Sequence, residues 1–290
     1  MTATKISPAL KQLLNTNAHP PSLQSSAFHH QLKRLLADFH QTASEKKLTS
    51  DSWTIFSTAA LVSLNRPSAF EPFWASLKST TSSNEKASVY NASLVRETAL
   101  KSISFIGIAK SINALNTFRA VLEKSNSDLL LQLDQQKPRR IPDLNENSIE
   151  KISQRALGTW KSIYRPLDDK LISKLSAAHP DLPVHILHSH YGPLLSDPAS
   201  DPGPIGRIGT SLIAVGTLRA AGNLGPQLLS HVYGLKKAGE ELQQVGEPSL
   251  GQGTQWLTSD TGAEWIINSI DRLSQLISDS EAHPTPTSKL

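Results

Sequence analysis

His231 is the residue whose type and surroundings most readily support acid–base chemistry. It lies alone in an otherwise aliphatic stretch with helical spacing, GNLGPQLLSHVYGLKKAGEELQQV, from Gly222 to Val245. An imidazole has an intrinsic pKa near neutrality, so it can accept or release a proton at physiological pH. The alternative is structural: a histidine on a helix face that hydrogen-bonds a neighbouring carbonyl or carboxylate. Residue type alone leaves both interpretations open.

The densest group of histidines is HILHSHYG, which contains His185, His188 and His190. A zinc or iron site would require two or three of them to converge with a carboxylate or water. On an α-helix His185 and His188 share a face and His190 points away, and no glutamate with HExxH spacing lies between them. We therefore predict no bound metal and no cofactor. We predict instead a pocket wall or packed turn, and we expect the helix that carries these histidines to end at Tyr191 and Gly192. A metal-dependent enzyme is the alternative.

The composition excludes several kinds of function. The 290 residues include no cysteine, which removes disulfides, thiolate nucleophiles and iron–sulfur ligation. The net charge is only +4, and the clearest basic cluster, KPRR at residues 137–140, has no interleaved aromatic residues. It is therefore interpreted as a solvated loop rather than a nucleic-acid interface. The most apolar run, residues 205–224, is interrupted by Arg207 and Arg219, so no membrane span is expected.

Helical periodicity extends along almost the whole chain. Apolar residues recur at three- and four-residue spacing, and no run alternates as a β-strand does. The sequence therefore predicts an all-α protein, folded as a helical bundle. Gly107 is expected to break a long helix or helix pair that covers residues 87–123.

The two halves of the chain resemble each other weakly. When Gly107 is aligned with Gly222, the apolar positions coincide and Asn116 falls opposite His231. This similarity suggests two copies of one helical unit related by a pseudo-twofold axis. The alternative is coincidence, because any two amphipathic helices share the same hydrophobic period. The predicted segments are an N-terminal helical segment (1–84), a first repeat (85–133), a linker (134–147), a second repeat (148–245), a C-terminal helix (246–277) and a flexible tail (278–290).

The second half carries a resemblance to a known family. TSLIAVGTLRAAGNLGPQLLSHVYGLKKAGEELQQV, residues 210–245, resembles the alkylhydroperoxidase D-like and carboxymuconolactone decarboxylase superfamily, whose signature is a helix of the type lIava.l.a.g before a helix ending H..ga...G...eev. RETALKSISFIGIAKSINALNTFRAVLEKS, residues 96–125, looks like the divergent first copy of two-repeat eukaryotic members. The resemblance covers most of residues 87–245. It implies a homo-oligomer, with Trp256 and Trp265 as candidates for the subunit surface.

The resemblance also identifies which catalytic positions survive in the first half. The peroxidatic members of the superfamily have a glutamate, eleven residues, a CxxC pair and a histidine four residues later. In this chain Glu97 has the glutamate spacing, but Ala109 and Ile112 stand at the cysteine positions and Asn116 at the histidine position.

The second half retains the complementary residue. His231 stands at the histidine position, whereas Leu212 replaces the glutamate and Leu224 and Gln227 replace the cysteines. Because both repeats lack both thiols, thiol-based peroxide reduction is excluded.

The decarboxylase branch of the superfamily works without cysteines, which implies acid–base chemistry of the decarboxylase, isomerase or hydrolase type on a small organic acid or acyl substrate. His231 would be the base, and Glu97 would orient it if the repeats bring the two together. Arg96 is a further candidate contact for an anionic substrate. The alternative is a non-catalytic binding or assembly protein on a degenerate enzyme fold. The predicted substrate contacts are Asn116, Gln227, Lys110 and His190.

The last residues, HPTPTSKL, suggest a location. Ser288, Lys289 and Leu290 form the tripeptide that the peroxisomal import receptor recognises at a free C-terminus. The Pro/Ser/Thr-rich stretch from Ser278 onward is expected to keep that tripeptide extended and accessible. The sequence therefore predicts a peroxisomal matrix protein with the import receptor as a partner.

Overall fold

The computed structural model describes residues 6–16, 25–80, 84–140, 145–197, 203–241 and 250–282. Within these ranges the chain is nearly all helical and contains no β-strand, which confirms the predicted all-α class. The α-helices in chain order are α1 (Pro8–Asn15), α2 (Ser26–Glu45), α3 (Asp51–Leu64), α4 (Phe70–Thr80), α5 (Glu85–Lys101), α6 (Ile103–Ile106), α7 (Ile108–Ser125), α8 (Ser127–Asp134), α9 (Glu146–Tyr164), α10 (Asp168–Ala178), α11 (Leu182–His185), α12 (Arg207–Ala221), α13 (Gly225–Glu241), α14 (Thr254–Leu257) and α15 (Asp260–Ala282). None of these helices is both long and apolar enough to cross a membrane.

Helices α3 and α12 form the centre of the bundle. Most positions around each helix are apolar residues, glycine or small hydroxyl residues, and 13 of the 14 residues of α3 and 11 of the 15 residues of α12 are buried. They pack against each other at very short range, because a Cβ on Gly216 would lie 2.8 Å from the carbonyl oxygen of Phe56 and 3.0 Å from the Cβ of Ala59. Small residues at this crossing therefore let the two backbones approach.

We expect Gly216→Ala to lower the free energy of unfolding by about 1–3 kcal/mol, because the added methyl group overpacks the crossing of α3 and α12. Gly158 on α9 is the matched control, since a Cβ there meets nothing within 4 Å. Gly158→Ala should instead raise the free energy by about 0.5–1 kcal/mol through helix propensity. Denaturant unfolding measures both. Equal responses of the two variants would contradict this packing.

Gly107 breaks the chain between α6 and α7, as predicted. Its backbone has φ +82° and ψ 173°, and Gly222, after α12, has nearly the same conformation, φ +72° and ψ 163°. The core, however, does not divide into the predicted segments. Helix α3 lies in the predicted N-terminal segment and packs on α12 of the predicted second repeat, within one hydrophobic cluster. The two-repeat arrangement therefore stays a prediction.

A second, smaller core lies between α9 and a π-helix that spans Ile186–Leu195. The predicted end of this helix at Tyr191 and Gly192 is wrong, because the helix continues to Leu195. Gly192 is needed where the helix crosses α9: a Cβ there would lie 2.7 Å from the carbonyl oxygen of Ile152. The buried members of this second core are Ala156, Trp160, Ile163, Leu187, Tyr191 and Leu195.

The two tryptophans predicted to lie at a subunit surface pack within the chain. The rings of Trp256 and Trp265 lie 5.6 Å apart, and Trp265 contacts Phe56 of α3 edge to face at 5.3 Å. The homo-oligomer therefore stays a prediction. The targeting tripeptide, Ser288 to Leu290, lies outside the described residues.

Candidate functional site

The two residues predicted to be catalytic lie in different surroundings. Glu97 is in the penultimate turn of α5 and binds two arginines, whereas His231 is on α13 and contacts aromatic side chains. No hydrogen bond or ion pair joins them within the described ranges. The predicted orientation of His231 by Glu97 is therefore not what the structure shows, since each carboxylate oxygen of Glu97 is already bound to an arginine.

His231 is enclosed by rings. Its side chain belongs to a residue only 5% exposed, with the ring of Phe105 edge to face at 5.3 Å. Its Nε2 atom lies 3.3 Å from the Tyr164 hydroxyl, which lies 2.8 Å from the Tyr191 hydroxyl. Burial, with a smaller contribution from Arg207, lowers the pKa of His231 to about 4. The imidazole is therefore neutral at pH 7 and a weak base.

Glu97 belongs to a network of five charged side chains, which we call the arginine network: Glu97, Lys101, Arg139, Arg140 and Asp197. Arg140 binds both carboxylates, donating from Nη2 to Asp197 Oδ1 at 2.8 Å and to Glu97 Oε1. Arg139 also lies between them, with Nη2 3.1 Å from Asp197 Oδ1 and Nη1 3.4 Å from Glu97 Oε2. The network therefore ties residues 139–140 to α5 and to the end of the π-helix.

Lys101 is the most deeply buried member of this network. Its side chain is 0% exposed, and its Nζ donates to Asp197 Oδ2 at 2.7 Å and to the Leu195 carbonyl at 2.9 Å. Burial lowers the pKa of Lys101, and the Asp197 carboxylate opposes that effect. A buried lysine is tolerated only when an anion compensates its charge, so Asp197 is the residue that makes this position possible.

A cavity of about 780 Å³ opens beside the network, and we call it the arginine cavity. Four of its lining residues are cationic and one is a carboxylate, with apolar contributions from Leu100, Leu115 and Pro138. Its charged lining residues are Arg96, Glu97, Lys137, Arg139 and Arg140. The predicted site residue Glu97 thus lies at a cavity, and the cavity is electropositive.

The Arg96 guanidinium contributes to the wall of the arginine cavity. Its Nη1 atom is buried and has no hydrogen-bond partner in the described part of the chain. Burial lowers the pKa of Arg96, with the nearby Arg119 acting in the same direction and the carboxylates of Asp134 and Glu97 opposing it. A buried guanidinium donor without an acceptor lowers the stability of the folded protein, and an acceptor supplied by a ligand would remove that cost.

A second, smaller cavity of about 190 Å³ adjoins the first, because the two share Arg96 and Leu115. Asn116, predicted to contact substrate, lines this smaller cavity together with Arg119. We call it the leucine chamber, after Leu115, Leu122 and Leu130. Glu97 and Asn116 of the predicted first repeat are therefore brought to neighbouring cavities on either side of Arg96.

The other three predicted substrate contacts lie elsewhere. Lys110 donates to the Ser63 carbonyl at 2.6 Å, so its ammonium group caps α3 instead of lining the arginine cavity. Gln227 is exposed in the first turn of α13. His190 places Nδ1 3.2 Å from the Ser104 hydroxyl. None of the three lines the arginine cavity, and within the described residues no hydrogen bond joins them to Glu97 or to one another.

The histidine cluster differs from its predicted arrangement. His185 and His190 are neighbours, with ring centroids 5.2 Å apart, whereas His188 reaches the Ser153 hydroxyl at 3.4 Å. The reason is the π-helix, whose repeat brings residues five apart onto one face. In the ranges that the structure describes, no group of three or more His, Asp or Glu side chains could hold a metal ion.

The interpretation of KPRR as a solvated loop is wrong for its two arginines. The side chains of Arg139 and Arg140 are 21% and 17% exposed because Glu97 and Asp197 hold them against the bundle. Sequence reasoning recognised this basic cluster but missed its partners, Lys101 and Asp197. The cluster itself was the available indication, since the paired donors of a guanidinium group suit a carboxylate or a phosphate.

Comparison of the chain with protein-family models, with curated proteins and with solved structures found no match. The resemblance to the alkylhydroperoxidase D-like superfamily therefore stays a prediction, and the site has to be interpreted from its own chemistry.

Proposed function

We propose that the protein binds a small organic anion in the arginine cavity. The observation that carries this proposal is the Arg96 guanidinium, which lines the cavity with its Nη1 atom buried and lacking an acceptor in the described ranges. A rotation of the guanidinium would bring this donor to an anion in the cavity, and the new hydrogen bond would recover the cost of its desolvation.

The charge of the surroundings supports the same conclusion. Within the arginine network, three cations contact the described carboxylates of Glu97 and Asp197. Arg96 and Lys137 add two cations at the cavity wall. Partly buried positive charge is costly to a fold, and a bound anion reduces that cost.

The cavity can hold a metabolite-sized ligand. Its volume, about 780 Å³, lies within the range of ordinary small-molecule sites, and it combines apolar wall residues with a few charged groups. The arginines are held in place before the ligand arrives, since Glu97 and Asp197 fix Arg140. Preorganised donors of this kind lose little conformational entropy on binding.

Thermal unfolding against a panel of anions, including pentanoate, succinate and citrate, tests the proposal. Ionic strength is held constant, because general screening also changes stability. At a concentration near 100 times its Kd, a bound anion should stabilise the folded protein by about 2.7 kcal/mol, equivalent to roughly 5 °C in Tm. We expect at least one anion to do so for the wild type and none to do so for Arg96→Gln.

Arg272→Gln is the matched control, because it removes the same charge from an exposed ion pair that joins Arg272 of α15 to Asp38 of α2. It should respond to the anions as the wild type does. Without anion, Arg96→Gln should be at least as stable as the wild type, since it removes a poorly satisfied buried charge. If no anion distinguishes the wild type from Arg96→Gln, the proposed function is wrong.

Acid–base chemistry on a small organic acid is the second candidate function. The observation that favours it is the hydrogen-bonded chain Tyr191–Tyr164–His231, along which a proton could move. Anion binding is the better supported function because the arginine cavity is not lined by His231 and a base with a pKa of about 4 is weak at pH 7.

We also propose that the protein is imported into the peroxisomal matrix through its last three residues. The support is the Ser288-Lys289-Leu290 tripeptide in a Pro/Ser/Thr-rich tail. A fluorescent reporter that carries residues 278–290 at its C-terminus should enter peroxisomes, and the same fusion without the tripeptide should stay cytosolic. Import of both fusions, or of neither, would contradict the proposal.

A further inference from the structure

Helix α1 presents an apolar face that no other part of the described chain covers. Leu10, Leu13 and Leu14 recur at three- and four-residue spacing, which places them on one side of the helix. Ile6 comes four residues before Leu10 and extends the same face. These four residues are 45% to 70% exposed, and no residue of α1 is buried. The face is therefore available to a partner.

The sequence specifies the start of this helix but not what stabilises it. The Ser7 hydroxyl accepts from the Leu10 N–H at 3.2 Å, and Pro8 takes the first helical position, where an N–H would have no partner within the helix. A helix of eight residues is marginal in water, because most helical stability in proteins comes from packing of the apolar face. A partner that covers the leucines would therefore stabilise α1 as it binds.

The distribution of charge indicates the chemistry of that partner. The chain has 29 Lys and Arg residues and 25 Asp and Glu residues. Residues 1–37 contain none of the acidic residues and four of the basic ones: Lys5, Lys11, Lys33 and Arg34. The rest of the chain therefore has 25 of each kind, and the whole formal net charge of +4 belongs to the segment that includes α1. A partner of this segment is favoured electrostatically if it is anionic.

An anionic membrane surface offers both the charge and the apolar contact. Its headgroups attract lysine, and the boundary between headgroups and acyl chains buries leucine. Lys11 flanks the leucine face of α1, where its long side chain can reach the headgroups. A second copy of the chain matches less well, because residues 38–290 have no formal net charge. A nucleic acid is anionic, but its phosphates and base edges do not bury a row of leucines.

We infer that α1 docks on a membrane surface that contains anionic lipids, with Leu10, Leu13 and Leu14 at the boundary between headgroups and acyl chains. The helix lies along the surface, and with so few apolar side chains its binding is reversible. The inference is independent of anion binding in the arginine cavity, because no residue of α1 lines that cavity.

Co-sedimentation of the full chain with vesicles tests the inference. One set of vesicles is phosphatidylcholine alone, and the other also contains phosphatidylserine at about one third of the lipid. We expect the wild type to bind the phosphatidylserine vesicles at least about 10-fold more tightly than the phosphatidylcholine vesicles. Leu10→Ser combined with Leu13→Ser should weaken this binding by at least about 10-fold and leave Tm unchanged, since neither leucine is buried.

Leu131→Ser combined with Leu229→Ser is the matched control, because these leucines are 63% and 57% exposed on α8 and α13. This variant should bind vesicles as the wild type does. Equal binding of the wild type and the α1 variant, or no binding by either, would show that α1 does not dock on membranes. Equal binding of the wild type to both kinds of vesicle would contradict the role of anionic lipid. If the wild type self-associates in sedimentation velocity and the α1 variant does not, a second copy covers the face and the inference is wrong.

Discussion

Replacing Asp197 with asparagine should lower the free energy of unfolding by about 3–5 kcal/mol, the usual cost of removing one partner from a buried ion pair. Asp197 accepts from Lys101 on one oxygen and from Arg139 and Arg140 on the other. Asparagine keeps the size of the side chain but removes its charge. The ammonium group of Lys101, 0% exposed, would then be buried without an anion in contact.

A double variant separates loss of charge compensation from loss of packing. Lys101→Met removes the buried cation while keeping a long apolar stem, so Asp197→Asn combined with Lys101→Met should lose less stability than the two single losses added together. Denaturant unfolding of all four proteins gives this coupling. A loss below about 1 kcal/mol in Asp197→Asn would show that the network does not compensate Lys101.

The response of Asp197→Asn to pH has a defined sign. Burial lowers the pKa of Lys101, so above its folded pKa the unfolded chain binds more protons than the folded protein, and stability rises with pH. Removing the compensating carboxylate should lower the pKa of Lys101 further. The stability difference between the wild type and Asp197→Asn should therefore shrink as the pH approaches 10.

Acidification should destabilise the wild type by about 3 kcal/mol relative to His231→Gln between pH 7 and pH 4. Burial lowers the pKa of His231 to about 4, below its value of about 6.5 in an unfolded chain. Between these two values the unfolded chain binds more protons, so stability falls as the pH falls through this window. The variant lacks the imidazole, so this contribution to the pH dependence of stability is absent from it.

The comparison with His231→Gln is needed because the titration of Asp51 changes stability with pH in the opposite direction. Burial raises the pKa of Asp51 to about 6, against a hydrogen bond from Tyr90 that lowers it. The folded protein therefore gains stability from Asp51 as the pH falls from 6 towards 3.8. This contribution is common to both proteins and cancels in their difference. Urea unfolding at several pH values, with exposed His188→Gln as control, measures the effect. A constant difference across the range would mean that His231 is not desolvated.

Much of the fold could be predicted from residue spacing. Helical periodicity without strand alternation indicates an all-α chain, and Gly107 indicates a break, because such patterns depend on local geometry. The packing of the helices could not be predicted in this way, because whether α3 packs on α12 depends on contacts between helices about 150 residues apart in the sequence.

The site was harder to predict because the members of the arginine network come from three separate stretches of the chain. Glu97 and Lys101 share one face of α5, whereas Arg140 and Asp197 follow α8 and the π-helix. From composition alone, KPRR is predicted to be a surface loop. Its arginines belong to a partly buried network because the fold brings two carboxylates next to them. Similarly, α-helical spacing misplaced His185 and His190, since a π-helix has no clear sequence signature.

A binding isotherm of the wild type and Arg96→Gln, with the most stabilising anion of the panel at constant ionic strength, tests the central claim most directly. The account predicts one saturable site per chain in the wild type and at least a 10-fold weaker Kd in Arg96→Gln, while Arg272→Gln keeps the wild-type Kd. Equal affinity of the wild type and Arg96→Gln would place any anion site elsewhere and contradict the account.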